Sequence, residues 1–393
     1  MVDLSNYTWI VIITSYLAFS LGIVLCYSSW KTFHQSTEFS QWLYKDLYLF
    51  NDNGKFLLKV TYILSLIGII AAIHHWIILI REYGSFFEVF ARAQRIYHFR
   101  EDNSIPYIWL SSYIAVFLSA IYSAYAGKFH ITAFYSILGV SLKSMAYFTR
   151  SGILLGLLEF IFGFVLFRNV LNSFEGQKFV NRKKIIITIL ISCIIMTAAA
   201  SIVKISRETM DEKVSGLSNQ HEFDGNLFLT PSIYFYLSSQ VATLSEYLEY
   251  DNENHLPAEY LLLPIYRVLG NFDIVEKPNF NSKGYRVPVW TNTATYLRNF
   301  HSDFGILGLL IGPFIIGFLS SYFWIRLFYY KEIIYIIYLT FIMVVIGMSF
   351  FVLQSQTAFW ASIISSVAIF KYIKKKKSNI IYMSNDIKHI TKE

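Results

Sequence analysis

Apolar residues come in long blocks along this chain, separated by short polar interruptions and by one long one. A helix needs about 20 apolar residues to cross a bilayer. Blocks of roughly that length lie at about 7–27, 56–80, 106–126, 131–148, 153–167, 185–202, 304–325, 333–352 and 359–373. They predict an all-α polytopic integral membrane protein of about nine or more transmembrane helices, because backbone in hydrocarbon must bond within its own helix. The segment 81–102 has a different pattern. Phe86, Phe87, Phe90 and Ile96 recur at helical spacing among Arg92, Arg95 and Arg100, which suggests an amphipathic helix along the interface. Pro106 then marks the start of the third span. The long interruption, 206–303, is the one large loop. Within it, 234–248 and 258–269 read as helices that either dip into the bilayer or lie outside it.

Basic residues set the sidedness. Lys178, Arg182, Lys183 and Lys184 face one acid, Glu175, in 168–184, and Lys374–Lys377 follow the last block. Both stretches read as cytoplasmic. Counting spans from them places the 206–303 loop outside, the 374–393 tail inside and the N-terminus outside. The bases of 81–102 fall on the outer side in this count, so one further span near the N-terminus is the alternative. The whole of 1–393 then forms a single membrane domain carrying one extracytoplasmic loop.

Composition supports the class. The 393 residues are 55% hydrophobic and 15% charged, against about 25% charged in soluble domains. The net charge of +7 is explained by lysines in cytoplasmic segments and does not point to nucleic acid. Cys26 and Cys193 both sit inside apolar blocks, so neither a disulfide framework nor a zinc site is indicated. The first residues lack a basic n-region, and the first helix is expected to be retained. No Gly-rich phosphate loop, His-Glu-x-x-His or Gly-x-Ser-x-Gly is present. An ATP-driven pump and a zinc protease are therefore disfavoured, and no metal or cofactor is expected.

The candidate chemistry lies in ionisable groups at or near membrane depth. Arg150, at the outer end of the fifth block, is either a bidentate phosphate ligand or a snorkelling anchor. Lys143, inside an apolar block, either faces the protein interior or snorkels outward. Glu159, about 13 Å beyond Arg150 at helical rise, reads first as a structural partner of a cation. Arg267, Arg286 and Arg298 lie in the loop, each alone a surface residue, together a possible pyrophosphate site. His301 suits general-base work or is a plain loop histidine. Asp303 is a second acid–base candidate or a helix cap. His74 and His75 are adjacent, point to different faces and read as packed residues.

The stretch Asn292 to Gly308, with Arg298, His301 and Asp303-Phe304-Gly305-Ile306-Leu307-Gly308, resembles the close of the large outer loop in Wzy-type oligosaccharide repeat-unit polymerases. Thr149-Arg150-Ser151-Gly152 resembles the family's Arg-Ser motif, and Tyr236 to Leu248 its aromatic and small-residue segment. The likeness runs roughly from Tyr107 onward. It implies a plasma-membrane glycosyltransferase that polymerises undecaprenyl-pyrophosphate-linked oligosaccharides at the outer face, for O-antigen, capsule or exopolysaccharide. By that resemblance Arg150 and Arg298 bind the donor pyrophosphate and His301 or Asp303 serves as base, while Arg267, Arg286 and Lys143 are further candidates for pyrophosphate or glycan binding from residue type and position alone. Related lipid-pyrophosphate glycan transferases are metal-independent, so the resemblance implies no metal. Implied partners are the lipid-linked substrate, the bilayer, a flippase and a chain-length regulator. An O-antigen ligase-type transferase and a lipid-linked oligosaccharide flippase are the alternatives. From the residues themselves, Gly305 and Gly308 are expected to let another helix or a lipid chain approach closely.

Overall fold

The computed structural model describes residues 4–33, 54–93, 95–96, 107–175, 190, 231–250, 256–276, 283–287, 290–350, 352–353 and 357–390. They form helices α1 (Asn6–Phe33), α2 (Lys55–Tyr83), α3 (Phe86–Ala91), α4 (Leu110–Ala126), α5 (Ile131–Ala146), α6 (Ser151–Glu175), α7 (Pro231–Tyr250) and α8 (Leu263–Asn271). A two-stranded pair, β1 (Tyr285–Arg286) and β2 (Trp290–Thr291), precedes α9 (Tyr296–Phe328), α10 (Tyr335–Met348) and α11 (Thr357–Ile390). Among the described residues four helices, α1, α2, α6 and α9, are long and apolar enough to cross a membrane, and α4, α5 and α10 are shorter apolar helices. This architecture fits a helical multi-pass membrane protein. The expected sixth span, 185–202, lies outside the described residues apart from Leu190, as does most of the loop before α7.

The chain divides into two compact units. Unit 1 comprises Met1–Phe39, Ser218–Ile325 and Phe341–Trp360; unit 2 comprises Ser40–Leu217, Arg326–Thr340 and Ala361–Glu393.

Unit 2 packs α2, α4, α5 and α6 together. Helix α4 is buried on nearly every side, as a central helix should be. Small residues set the spacing. A Cβ on either Gly68 of α2 or Gly139 of α5 would run into the Ser112 side chain, so one serine of α4 fits between two glycine notches. Two hydroxyls of α2 return to their own helix, Thr61 to the Leu57 carbonyl at 2.7 Å and Ser65 to the Thr61 carbonyl at 2.8 Å, while Ser119 of α4 meets Ser136 of α5 at 3.0 Å. That leaves no polar backbone or hydroxyl in need of water at these positions. The expected amphipathic segment yields α3, whose Ser85 accepts from the Glu88 N–H. Its buried side is Val89, continued by Ala93 and Ile96, while Phe87 projects outward.

In unit 1, α1 is inside-out compared with a soluble helix. Thr8, Ser15 and Gly22 face inward, whereas Ile10, Ile13, Leu17, Leu21 and Val24 are exposed. An apolar outer stripe of this length is what hydrocarbon solvates and water does not. The inner side meets α9 backbone to backbone. A side chain at Gly22 would strike the Phe314 carbonyl, and one at Gly317 the Phe19 carbonyl. Ser15 donates to the Leu309 carbonyl at 2.8 Å. Val11, Leu244, Tyr247, Leu297 and Leu309 form the core where α1, α7 and α9 meet.

Helix α9 breaks once. Gly305 has φ 60° and ψ −149°, a conformation essentially confined to glycine. The chain doubles back there, so that Phe300 lies over Gly308 and Gly312. A Cβ on Gly308 would meet the Phe300 carbonyl, and one on Gly312 would sit 2.6 Å from the Phe300 ring. The glycine spacing therefore serves a close approach, as expected, but the neighbour of Gly308 is the head of its own helix. Gly305 itself meets nothing within 4 Å and acts through its backbone alone.

Candidate functional site at the head of α9

The residues before the Gly305 break form a short helical head on which four polar side chains reach four different segments. Arg298 is 2% exposed. Its Nη2 donates to the Lys283 carbonyl at 3.0 Å and its Nη1 to the Asn292 carbonyl at 3.5 Å, so the guanidinium fork spans both ends of the β1–β2 hairpin. Its central carbon lies 5.0 Å from the Tyr247 ring centre and 5.4 Å from that of Tyr285. Two carbonyls and two ring faces thus surround a cation removed from water. Asn299 accepts the Leu353 N–H at 2.9 Å, beyond the end of α10. The Tyr296 N–H, left over at the start of α9, finds the Ser349 carbonyl at 2.8 Å.

His301 is half-buried, and its Nδ1 lies 3.0 Å from the Tyr247 hydroxyl of α7. The two rings stand nearly perpendicular, at 86°. Tyr247 therefore touches both His301, through its hydroxyl, and Arg298, through its face. When Nδ1 carries the proton and donates to the Tyr247 oxygen, Nε2 is the basic nitrogen; the opposite tautomer makes Nε2 a donor. Asp303 does something other than cap its own helix. Its two oxygens accept the Tyr260 and Leu261 N–H groups, each at 2.9 Å, and hold the turn before α8 against α9.

The remaining candidates fall elsewhere. Arg267 on α8 donates to Thr357 at 2.9 Å, and Arg286 projects exposed from β1. Lys143 and Arg150 belong to unit 2. Lys143 is 3% exposed, which settles its two readings in favour of the interior. Its Nζ lies 3.0 Å from His75 Nδ1, 4.6 Å from the Tyr147 ring centre and 5.6 Å from that of Trp109. Arg150 is half-buried just before α6, and its carbonyl accepts the Leu154 N–H at 3.1 Å. Among the described residues no group of three His, Cys, Asp or Glu side chains is placed to hold a metal.

Reasoning on the sequence missed Tyr247, Tyr285 and Asn299 as individuals. Tyr247 lay inside the aromatic segment already singled out, but nothing local distinguishes it from Tyr250. Its partners are 51 and 54 positions away. Comparison with family models, with curated proteins and with solved structures gives no match.

Proposed function

We propose that this protein is a membrane glycosyltransferase that polymerises undecaprenyl-pyrophosphate-linked oligosaccharide repeat units into surface polysaccharide. The observation that carries the reading is the Arg298–Tyr247–His301 cluster, built from the stretch that resembles the polymerases. In this reading a sugar hydroxyl of the incoming unit attacks the anomeric carbon of the donor glycan. The bond to the pyrophosphate oxygen breaks, and undecaprenyl pyrophosphate leaves with the electron pair. His301 Nε2 takes the hydroxyl proton while Tyr247 holds Nδ1. Arg298 is too enclosed to grip a phosphate directly. It acts as a fixed positive charge beneath the site, favouring the anionic leaving group. Asp303 positions the 260–261 turn and is not the base.

The reading also carries the finer topology: about nine or more spans in the plasma membrane, with 206–303 and the head of α9 extracytoplasmic. A flippase would supply the substrate and a chain-length regulator would act on the product. Lys143, as enclosed as Arg298, has no direct phosphate contact in this reading; pyrophosphate contacts by Arg150, Arg267 and Arg286 are separate propositions, each removable without affecting the His301 role.

The test is turnover of purified protein in lipid with lipid-linked repeat units. His301→Gln still donates a hydrogen bond but cannot act as a base. It is expected to lose about 10²–10⁴-fold in rate with donor binding nearly intact. Near-normal turnover between about pH 6 and about pH 8 would remove His301 from the reaction. In cells, a deletion strain displaying single-unit glycan supports the polymerase. Complete loss of export would indicate a flippase, and polymer left on its lipid carrier a ligase.

A further inference from the structure

Glu159 lies in the middle of α6 with 0% exposure, and neither carboxyl oxygen has a hydrogen-bond partner among the described residues. The helices close on it from both sides. One turn before it, a Cβ at Gly156 would sit 3.1 Å from Val140 of α5; one turn after it, a Cβ at Gly163 would sit 3.2 Å from Ala120 of α4. An ionised carboxylate in such a place, without a partner, is among the most costly groups a membrane protein can bury.

The neighbouring cations have other work. Lys143, the one charged residue of α5, lies against His75. Arg168 donates to the Ala124 carbonyl at 3.2 Å. Along α6, Arg150 and Arg168 are each nine residues from Glu159, about 13 Å at helical rise. Helix α4 carries no charged residue; its titratable groups are Tyr113, Tyr122 and Tyr125. Tyr113 is within electrostatic reach of Glu159, and its hydroxyl is bonded to Ser144. Tyr122 packs on His130, and Tyr135 of α5 on Tyr62.

We propose that Glu159 is a proton-binding site at membrane depth, neutral in the folded unit, with an exchangeable proton as its ligand. The proton occupies one carboxyl oxygen and leaves to water when the unit opens locally, so no other reactant is required. The site is independent of glycan transfer, and the His301 assay does not bear on it.

The full chain in phosphatidylethanolamine–phosphatidylglycerol vesicles, with its Glu159→Gln variant, tests the site. Glutamine keeps the shape and removes the proton. The wild-type-minus-variant infrared spectrum is expected to show the free-acid carbonyl band near neutral pH. That band should fade reversibly as the pH is raised, by about tenfold per unit beyond its midpoint. Dicyclohexylcarbodiimide, which adds to protonated carboxyls in apolar surroundings, is expected to modify Glu159 with the same pH profile, read by peptide mass spectrometry. Absence of the band at neutral pH overturns the proposal. So does a band that persists unchanged at every pH, which would mark a permanently neutral packing group. Protection from the carbodiimide by sodium at fixed pH would also overturn it, in favour of a metal-cation site.

Discussion

The head of α9 and the helix α5 each bury a cation, and they do it in opposite ways. Lys143 of α5 sits among regular helices, against one imidazole and the faces of Tyr147 and Trp109. The backbone around it already bonds within its own helices, so the ammonium needs only a soft, compact surrounding. Arg298 lies among irregular segments whose carbonyls have no helix to complete. Its fork takes the carbonyls of Lys283 and Asn292. Asn299 and Asp303 do the same for the N–H groups of Leu353, Tyr260 and Leu261. Polar side chains thus become densest where backbone is irregular and must still be satisfied away from water. That requirement is also what builds a shaped polar site, which is why candidate chemistry gathers at the head of α9.

Removing the fork should break this contrast most visibly. Arg298→Ala strands two carbonyls and is expected to cost about 2–5 kcal/mol, seen as a large fall in thermal midpoint in nanodiscs. Arg298→Lys keeps the charge but reaches only one carbonyl, so it should recover part of that loss. Full recovery by lysine would mean that the head of α9 needs a charge in the way α5 does, and that hairpin clamping is incidental.

The backbone side of the contrast rests on Gly305. Gly305→Ala places a side chain in a conformation with φ 60° and ψ −149°, at an expected cost of about 1–3 kcal/mol. There is open space around that position, so the cost is conformational and larger side chains should suffer about as much as alanine. A smooth rise in cost with side-chain volume would point to crowding instead.

Much of the helical layout was legible in the sequence, because hydropathy over a span-length window averages many residues. The described helices α1, α2, α4, α5 and α6 start within a few residues of their expected positions. The Gly305 break was not legible, since a glycine inside an apolar run has the same hydropathy whether it packs or turns. Lys143 left two readings open because its partner His75 is 68 positions away. Asp303 read as an acid–base candidate or a cap from its place beside an apolar block, yet its partners are backbone groups more than 40 positions back. Arg298 and His301 stood out by residue type. That they share Tyr247 is a property of how α7 and α9 cross, which no local pattern encodes.

The regular side of the comparison can be tested through the Lys143–His75 contact. A double-mutant cycle of Lys143→Met with His75→Ala is expected to give a coupling of about 1 kcal/mol. Methionine keeps the length and apolar stem, so the single Lys143 change should itself be mild. A coupling near zero would show that the rings of Tyr147 and Trp109, rather than His75, hold the lysine.

The smallest expected effect comes from the opposite end of α5. There the helix begins without a preceding carboxylate or amide cap, and His130 takes that role. Its Nδ1 accepts the Thr132 N–H at 3.3 Å and lies 3.0 Å from the Thr132 hydroxyl, while its ring stands 4.8 Å from that of Tyr122. Only the neutral ring can accept at Nδ1. Burial, and then the Lys128 charge, pull the His130 pKa below its ordinary value of 6.5. The unfolded chain therefore binds this proton more readily than the folded one. The cap's contribution is complete above the unfolded pKa and is lost as pH falls through the lower, folded one. The thermal midpoint should drop slightly from about pH 7 to about pH 5. His130→Asn keeps a capping acceptor that does not titrate, and should remove this part of the slope. His130→Ala should cost under about 1 kcal/mol at neutral pH and lose the slope as well. If the asparagine variant keeps the full wild-type slope, the titrating group lies elsewhere and α5 starts without help from its histidine.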